Sequence, residues 1–230
     1  MLVLITGVGS KGQVGEAVAS AFLDRGDTVL IVSRSPDEVA ERTSELSARG
    51  SVSGYPCDLS KPNEVARLAD QVQAEHGDSL DALVNLAGGF GSSGPLAESD
   101  PSAIHRMMDI NYRTAYLTTR AFMPMVERAK GSIVFFASEA ILEGARTSGV
   151  AGYAASKAAV VALMRSVADE GRDKDVRANA LAPSSIRTAT NEASMPPKTK
   201  YVEREEVASA VMFLCSPAAR AVSGQVIRLR

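Results

Sequence analysis

The sequence contains no tryptophan, and among its 230 residues only two are cysteine and two histidine. Cys57 and Cys215 lie far apart, without the short spacing of a metal site, and two cysteines make no disulfide framework. A reducing, cytoplasmic setting is therefore expected. His76 and His105 stand alone and read as surface or helix-end residues rather than ligands. Charge of one sign is also scarce, because 25 basic residues nearly balance 27 acidic ones and leave a net charge of −2. No basic block is present to follow a phosphate backbone or a lipid surface, so neither nucleic acid nor membrane is expected as a partner. No apolar run reaches the length of a bilayer span, and the first ten residues lack the basic-then-apolar pattern of a leader.

What is present is a core's worth of apolar material. Hydrophobic residues make up 45% and charged residues 23%, an ordinary balance for a globular chain. Short β-rich runs alternate with helical patterns: Leu2 to Thr6, Thr28 to Val32, Val52 to Cys57, Ala82 to Leu86, Ile133 to Phe136, Arg177 to Leu181 and Gln225 to Leu229 read as strands. They show little in/out alternation, which implies burial on both faces, and the intervening helices then act as crossovers. The expected fold is one α/β domain over residues 1–230, a Rossmann-like doubly wound parallel sheet of about seven strands with helices on both faces. A single long helical stretch is expected from about Pro101 to Arg128, and another from Gly152 to Gly171. Ser184 to Lys200, rich in Ser, Thr, Pro and Lys, is expected to be a mobile lid, because it leaves a strand end where such sheets bind ligands.

The first strand runs into Gly7-Val8-Gly9-Ser10-Lys11-Gly12, a G-x-G-x-x-G turn that opens a helix at Val14. Glycine allows the tight turn, and the helix start offers free N–H groups to a pyrophosphate. At the end of the second strand, where an acidic residue would bind the ribose 2′-hydroxyl of NAD, the chain has Ser33-Arg34-Ser35. Arg34, with Ser33 and with Lys11 from the turn, suits a 2′-phosphate, and no carboxylate is expected nearby. NADP(H) is the favoured cofactor, with NAD(H) the alternative. Farther along, Tyr153 and Lys157 are four residues apart, on one face of a helix. An ammonium there is expected to lower the phenol's pKa and fit it for proton exchange with a carbonyl or hydroxyl oxygen.

These landmarks, taken in order, resemble the short-chain dehydrogenase/reductase family over nearly the whole chain: Thr6-Gly7, Asp58, Asn85-Leu86-Ala87-Gly88, Asn111, Ser138, Tyr153 with Lys157, then Asn179, Pro183, Thr188 and Ser223-Gly224-Gln225. The resemblance implies hydride transfer between a nicotinamide and a carbonyl or alcohol carbon of a small molecule. It implies Tyr153 as general acid or base, Lys157 as its tuning partner and ribose anchor, Ser138 on the substrate oxygen, and Asn111 in a water relay. It assigns Asp58 and Leu59 to the adenine, Ala87 and Gly88 to the adenosine ribose, and Pro183, Ile186 and Thr188 to the nicotinamide. It also implies a homodimer or homotetramer. The glycine turn is longer than the family's, with four residues between Gly7 and Gly12 and two between Gly12 and Gly15. The Ser138–Tyr153 segment is about two residues longer as well. Leu86 to Phe90 and Ser194 to Pro196 resemble dihydropteridine reductases, which is a second enzyme reading. A dinucleotide-binding sensor without catalysis is a third, disfavoured because tyrosine and lysine are both retained.

Overall fold

The computed structural model describes residues 1–230. Seven strands form one sheet: β1 Leu2–Thr6, β2 Thr28–Ser33, β3 Val52–Pro56, β4 Ala82–Asn85, β5 Ser132–Phe136, β6 Arg177–Pro183 and β7 Val226–Leu229. Their order is β3-β2-β1-β4-β5-β6-β7, and every pairing is parallel. The buried runs carry this arrangement, since β1, β2, β4 and β5 are almost wholly enclosed.

Helices cover both faces. On one lie α1 Val14–Asp24, α2 Pro36–Leu46 and, farther along the chain, α8 Arg204–Cys215. The other carries α3 Pro62–His76, α5 Thr114–Ala129 and α6 Ala151–Glu170. Alternate residues of β1 serve the two layers: Val3 and Ile5 pack with Phe22 and Val211, while Leu4 packs with Phe122 and Met164. Phe22 and Phe122 are fully buried, and such burial is worth about 1.5–3 kcal/mol for each ring. Ser35 caps α2 by accepting from the Glu38 N–H, and Pro36 and Pro62 sit in first turns where no donor is lost.

The stretch expected as one helix from Pro101 is divided. Helix α4, Pro101–Met107, leads through a π-helical turn at Met108–Arg113 into α5. A π turn inserts a residue and re-aims side chains, and here it carries Asn111. The Ser184–Lys200 segment is more structured than a plain lid. It contains α7, Ala189–Ser194, capped by Thr188. It is braced by an Ile186–Val202 bridge, by Arg187 to Glu192 and Glu203, and by Ala189 N–H donating to the Gly12 carbonyl. Histidines 76 and 105 lie at helix ends, as expected, and no helix is long and apolar enough to cross a membrane.

Since β1 is followed outward by β2 and β3, and β4 to β7 run the other way, the chain reverses direction between β1 and β4. The carboxyl ends of those strands bound the ligand crevice of a doubly wound sheet.

Candidate active site

Thr6 and Gly7 close the switch point. The Thr6 hydroxyl accepts from the N–H groups of Leu86 and Ala87, each at 3.0 Å. Gly7 has φ +78°, and a Cβ there would lie 2.9 Å from the Ala87 Cα, so only glycine allows the β1 and β4 turns to touch. Its N–H donates to Val32 at 2.7 Å. Ala87 and Gly88 thus sit against the turn, and Val14, buried, begins the helix that leaves it.

The lengthened turn is tied down by three carboxylates. Gly12, at φ +72°, donates its N–H to Glu16 at 2.6 Å. The Ser10 hydroxyl donates to Glu38 at 3.1 Å, and Lys11 reaches Glu45 at 3.4 Å. Arg42 joins the cluster: only 1% exposed, it pairs with Glu45, with Glu41 at 3.3 Å and with Glu16 at 3.7 Å. Arg42 holds the Glu45 carboxyl below its ordinary pKa. The expectation that no carboxylate stands near Ser33 and Arg34 is therefore corrected. A Cβ on Gly9 would lie 2.5 Å from both the Ser33 hydroxyl and a Glu38 carboxylate oxygen. Residues 35 to 38 spell a capping box, in which Glu38 would reach back to Ser35; the tertiary fold instead turns it onto the glycine turn. Arg34 is exposed, and Lys11 is spent on Glu45 rather than aimed beside it. At the end of β3, Asp58 accepts from Ser60 N–H and hydroxyl, and these bonds hold its carboxyl below its usual value. The Leu59 side chain is buried in the core, which leaves its backbone to meet any ligand.

The other half of the crevice gathers most of the remaining residues. A pocket of about 500 Å³ is lined by Val14, Gly88, Ser138, Tyr153, Lys157, Pro183, Ile186 and Thr188. It adjoins an outer cleft of about 840 Å³ that shares Phe90, Ser138 and Tyr153. A separate polar concavity of about 710 Å³, lined by Lys130 and Arg177, opens at the opposite end of the sheet. Ser138 follows β5 and caps a short turn by accepting from Ala140 N–H at 3.2 Å. Despite the longer segment between them, Ser138 and Tyr153 line the same pocket; burial, the larger effect, pushes the phenol pKa up, and the Ser138 side chain partly offsets it. Lys157 is buried and donates to the Phe136 carbonyl at 2.9 Å, with its ammonium 6.0 Å from the Tyr153 ring centre. Burial lowers its pKa to about 8. The expected lowering of the phenol pKa by lysine does not occur in this arrangement, because the ammonium is turned to a carbonyl and desolvation dominates at the phenol.

Asn111 lies beneath the pocket. It accepts from Gly89 N–H and donates to Gly89 carbonyl, both at 3.0 Å, and donates to Ser156 at 3.1 Å. Its side-chain donors are therefore fully used. Ser156, fully buried, donates in turn to the Tyr153 carbonyl at 2.8 Å. Sequence reading missed Ser156, although it lies beside Lys157 on the catalytic-type helix. It also missed Glu38, Glu16 and Arg42, and it pointed to Phe90 only as the end of the Leu86 to Phe90 run. Phe90, 69% exposed, meets Tyr153 edge-on with ring centres 5.0 Å apart.

A parallel doubly wound sheet, a glycine turn at its switch point and a tyrosine–lysine–serine pocket beside it define a nucleotide-binding oxidoreductase architecture. Comparison with known proteins agrees. Residues 7–229 match the family model described as enoyl-(acyl carrier protein) reductase. A tropinone reductase homolog of Arabidopsis thaliana is 32% identical over 98% of this chain and 88% of its own length. The 2-(S)-hydroxypropyl-CoM dehydrogenase 3 of Xanthobacter autotrophicus is 31% identical over 97% and 92%. A solved short-chain type dehydrogenase/reductase from Mycobacterium ulcerans superposes with a TM-score of 0.89 at 34% identity, covering 99% of this chain and 87% of that one. The chain belongs to the short-chain dehydrogenase/reductase family. It is an oxidoreductase of CH–OH or C=O groups in small molecules, and the family uses NAD(P).

The residues fit such a dinucleotide. The pocket that holds Lys157 and Thr188 reaches Gln13 and Val14 at the start of α1 and Gly88 after β4, and the glycine turn packs without side chains against Ala87 beside it. A helix start such as that of α1, which Gln13 and Val14 bring to the pocket, offers first-turn N–H groups to an anion.

Proposed function

We propose that this chain is an NADP(H)-preferring reductase of small-molecule ketones or aldehydes, or the dehydrogenase of the matching alcohols. The observation that carries this reading is the convergence of Ser138, Tyr153 and Lys157 on one pocket that also takes in Gln13 and Val14, where α1 leaves the glycine turn. A bound nicotinamide supplies or accepts the hydride. Ser138 donates a hydrogen bond to the substrate oxygen and orients it. Tyr153, whose raised pKa keeps it protonated at neutral pH, gives its phenolic proton to that oxygen in reduction and takes it back in oxidation. Lys157, still largely protonated at neutral pH, anchors the ribose and restores the proton. Asn111, with its amide committed to Gly89 and Ser156, contributes to a relay through its main-chain carbonyl in the π turn. Pro183, Ile186 and Thr188 form the wall beside the nicotinamide. Asp58 and the Leu59 backbone meet the adenine, Ala87 and Gly88 the adenosine ribose, and Gly7, Gly9, Ser10, Lys11, Gly12 and Val14 the pyrophosphate. Arg34 and Ser33 supply the donors for a 2′-phosphate.

The relatives support the reaction class, because their names include a hydroxysteroid dehydrogenase of Escherichia coli and the hydroxypropyl enzyme above. A second reading, reduction of a conjugated ring such as a dihydropterin, draws on the exposed Phe90 ring beside Tyr153. A homodimer or homotetramer in the cytoplasm completes the proposal, with the stacked and partly exposed Tyr112 and Tyr116 on the π turn and α5 as its face.

The test is a titration of the protein with NADPH and with NADH, each also with Arg34→Ala. Tighter binding of NADPH, weakened about tenfold by the substitution with NADH unaffected, is expected from loss of one charge-assisted hydrogen bond. Binding of neither dinucleotide would remove the reading. Turnover of a dihydropterin but not of simple ketones would favour the second substrate class.

A further inference from the structure

The nucleotide end of the crevice carries more negative charge than a phosphate site calls for. Two of its three carboxylates are compensated: Glu45 by Arg42 and Lys11, Glu16 by Arg42 and the Gly12 N–H. Glu38 has only the Ser10 hydroxyl. Its carboxylate nevertheless holds a defined place, within 2.5 Å of the same point above Gly9 as the Ser33 hydroxyl. Ser33 ends β2, where a doubly wound fold meets the adenosine ribose, and where a carboxylate, when present, bonds the 2′-hydroxyl. This chain has no acidic residue at the strand end. It returns one to the same place from the first turn of α2.

We propose that Glu38 sets the balance between the two dinucleotides. Its carboxylate, held against the turn by Ser10, repels a ribose 2′-phosphate and accepts a hydrogen bond from a free 2′-hydroxyl. The inference rests on the dinucleotide reading above. Arg34 and Glu38 then act in opposite senses on one substituent. Arg34 attracts the 2′-phosphate, while Glu38, a few ångströms from Ser33, opposes it with a like charge in a partly desolvated corner. The wild-type chain is accordingly expected to favour NADPH only modestly. Neighbouring cations do not relieve the repulsion, because Lys11 and Arg42 face Glu45 and Glu16.

The experiment measures Kd for NADPH and NADH, and for the nicotinamide-free fragments 2′,5′-ADP and 5′-AMP, by calorimetry on wild type, Glu38→Gln and Glu38→Asp. Glutamine keeps an acceptor for Ser10 and removes the charge. Glu38→Gln is expected to shift the NADPH-to-NADH affinity ratio about tenfold toward NADPH, equivalent to ~1.4 kcal/mol, with the fragments following. Glu38→Asp, which keeps the charge, is expected to stay near the wild-type ratio. An unchanged ratio in Glu38→Gln, or equal weakening of both dinucleotides, would overturn the proposal and make Glu38 a brace of the turn only. If wild type binds neither dinucleotide, the dinucleotide reading itself falls and this inference falls with it.

Discussion

The two halves of the crevice are held by different forces. Around Tyr153 the contacts are neutral or one-sided: Lys157 to a carbonyl, Asn111 to both ends of the Gly89 peptide, Ser156 to the Tyr153 carbonyl. No carboxylate pairs with the buried lysine, so its proton is held weakly. Around the glycine turn the contacts are ionic, with Glu16, Glu38 and Glu45 bonded to three consecutive residues and Arg42 buried among them. A proton-transfer site benefits from groups whose charge is easily changed. A long turn that must keep its N–H groups aligned benefits from fixed charges on neighbouring helices, although each adds negative potential near a phosphate.

That contrast breaks most sharply at the phenol. Tyr153→Phe is expected to lower kcat by about 10²–10⁴-fold, the usual worth of a positioned general acid, while dinucleotide affinity stays near wild type. Steady-state kinetics and titration on the same preparation check both halves of the statement. Unchanged turnover would remove Tyr153 from the mechanism.

Arg42→Ala attacks the other half. The guanidinium is 1% exposed, but Glu16 and Glu45 are 24% and 37% exposed and keep water contact. The expected loss is therefore about 2–3 kcal/mol of stability, below the cost of stranding fully buried charges. Denaturant unfolding measures it, and dinucleotide binding should weaken as the turn loosens. A loss confined to stability would separate the brace from the ligand site.

The smallest and most diagnostic effect concerns pH. Lys157 has its pKa lowered to about 8 from the ordinary 10.5, so the ammonium proposed to restore the phenolic proton is lost as pH rises through about 8. Carbonyl reduction is expected to fall over that range. Stability should move in the opposite sense. Between about 8 and 10.5 the unfolded chain binds more protons than the folded one, so the penalty of burying this ammonium is relieved as pH rises. Lys157→Met should abolish both trends, which pH–rate profiles and unfolding curves across pH 7–10 would show.

Much of the fold was legible because it rests on local chemistry. Apolar runs bounded by turn residues marked the seven strands, and the helix from Gly152 to Gly171, to within two residues. The Tyr153–Lys157 pair was equally legible, because four residues on a helix share a face whatever surrounds them. The interruption of the long helix at Asn111 was not, since a π turn leaves no periodic trace. Glu38 was hidden for a related reason: beside Ser35 it reads as a capping residue, and only the packing of α2 against the glycine turn sends it to Ser10.

By itself, then, the sequence determined the parallel layered sheet, the family, and the Tyr153–Lys157 pair on one helix face, because periodicity and short-range spacing act within a few residues. Tertiary structure alone decided the electrostatics: which phenol and ammonium are desolvated, where Lys11 and Arg42 spend their charge, and that a carboxylate stands beside Ser33. Those depend on distances between segments remote in the chain, and Coulomb energy follows distance and burial rather than order along the sequence.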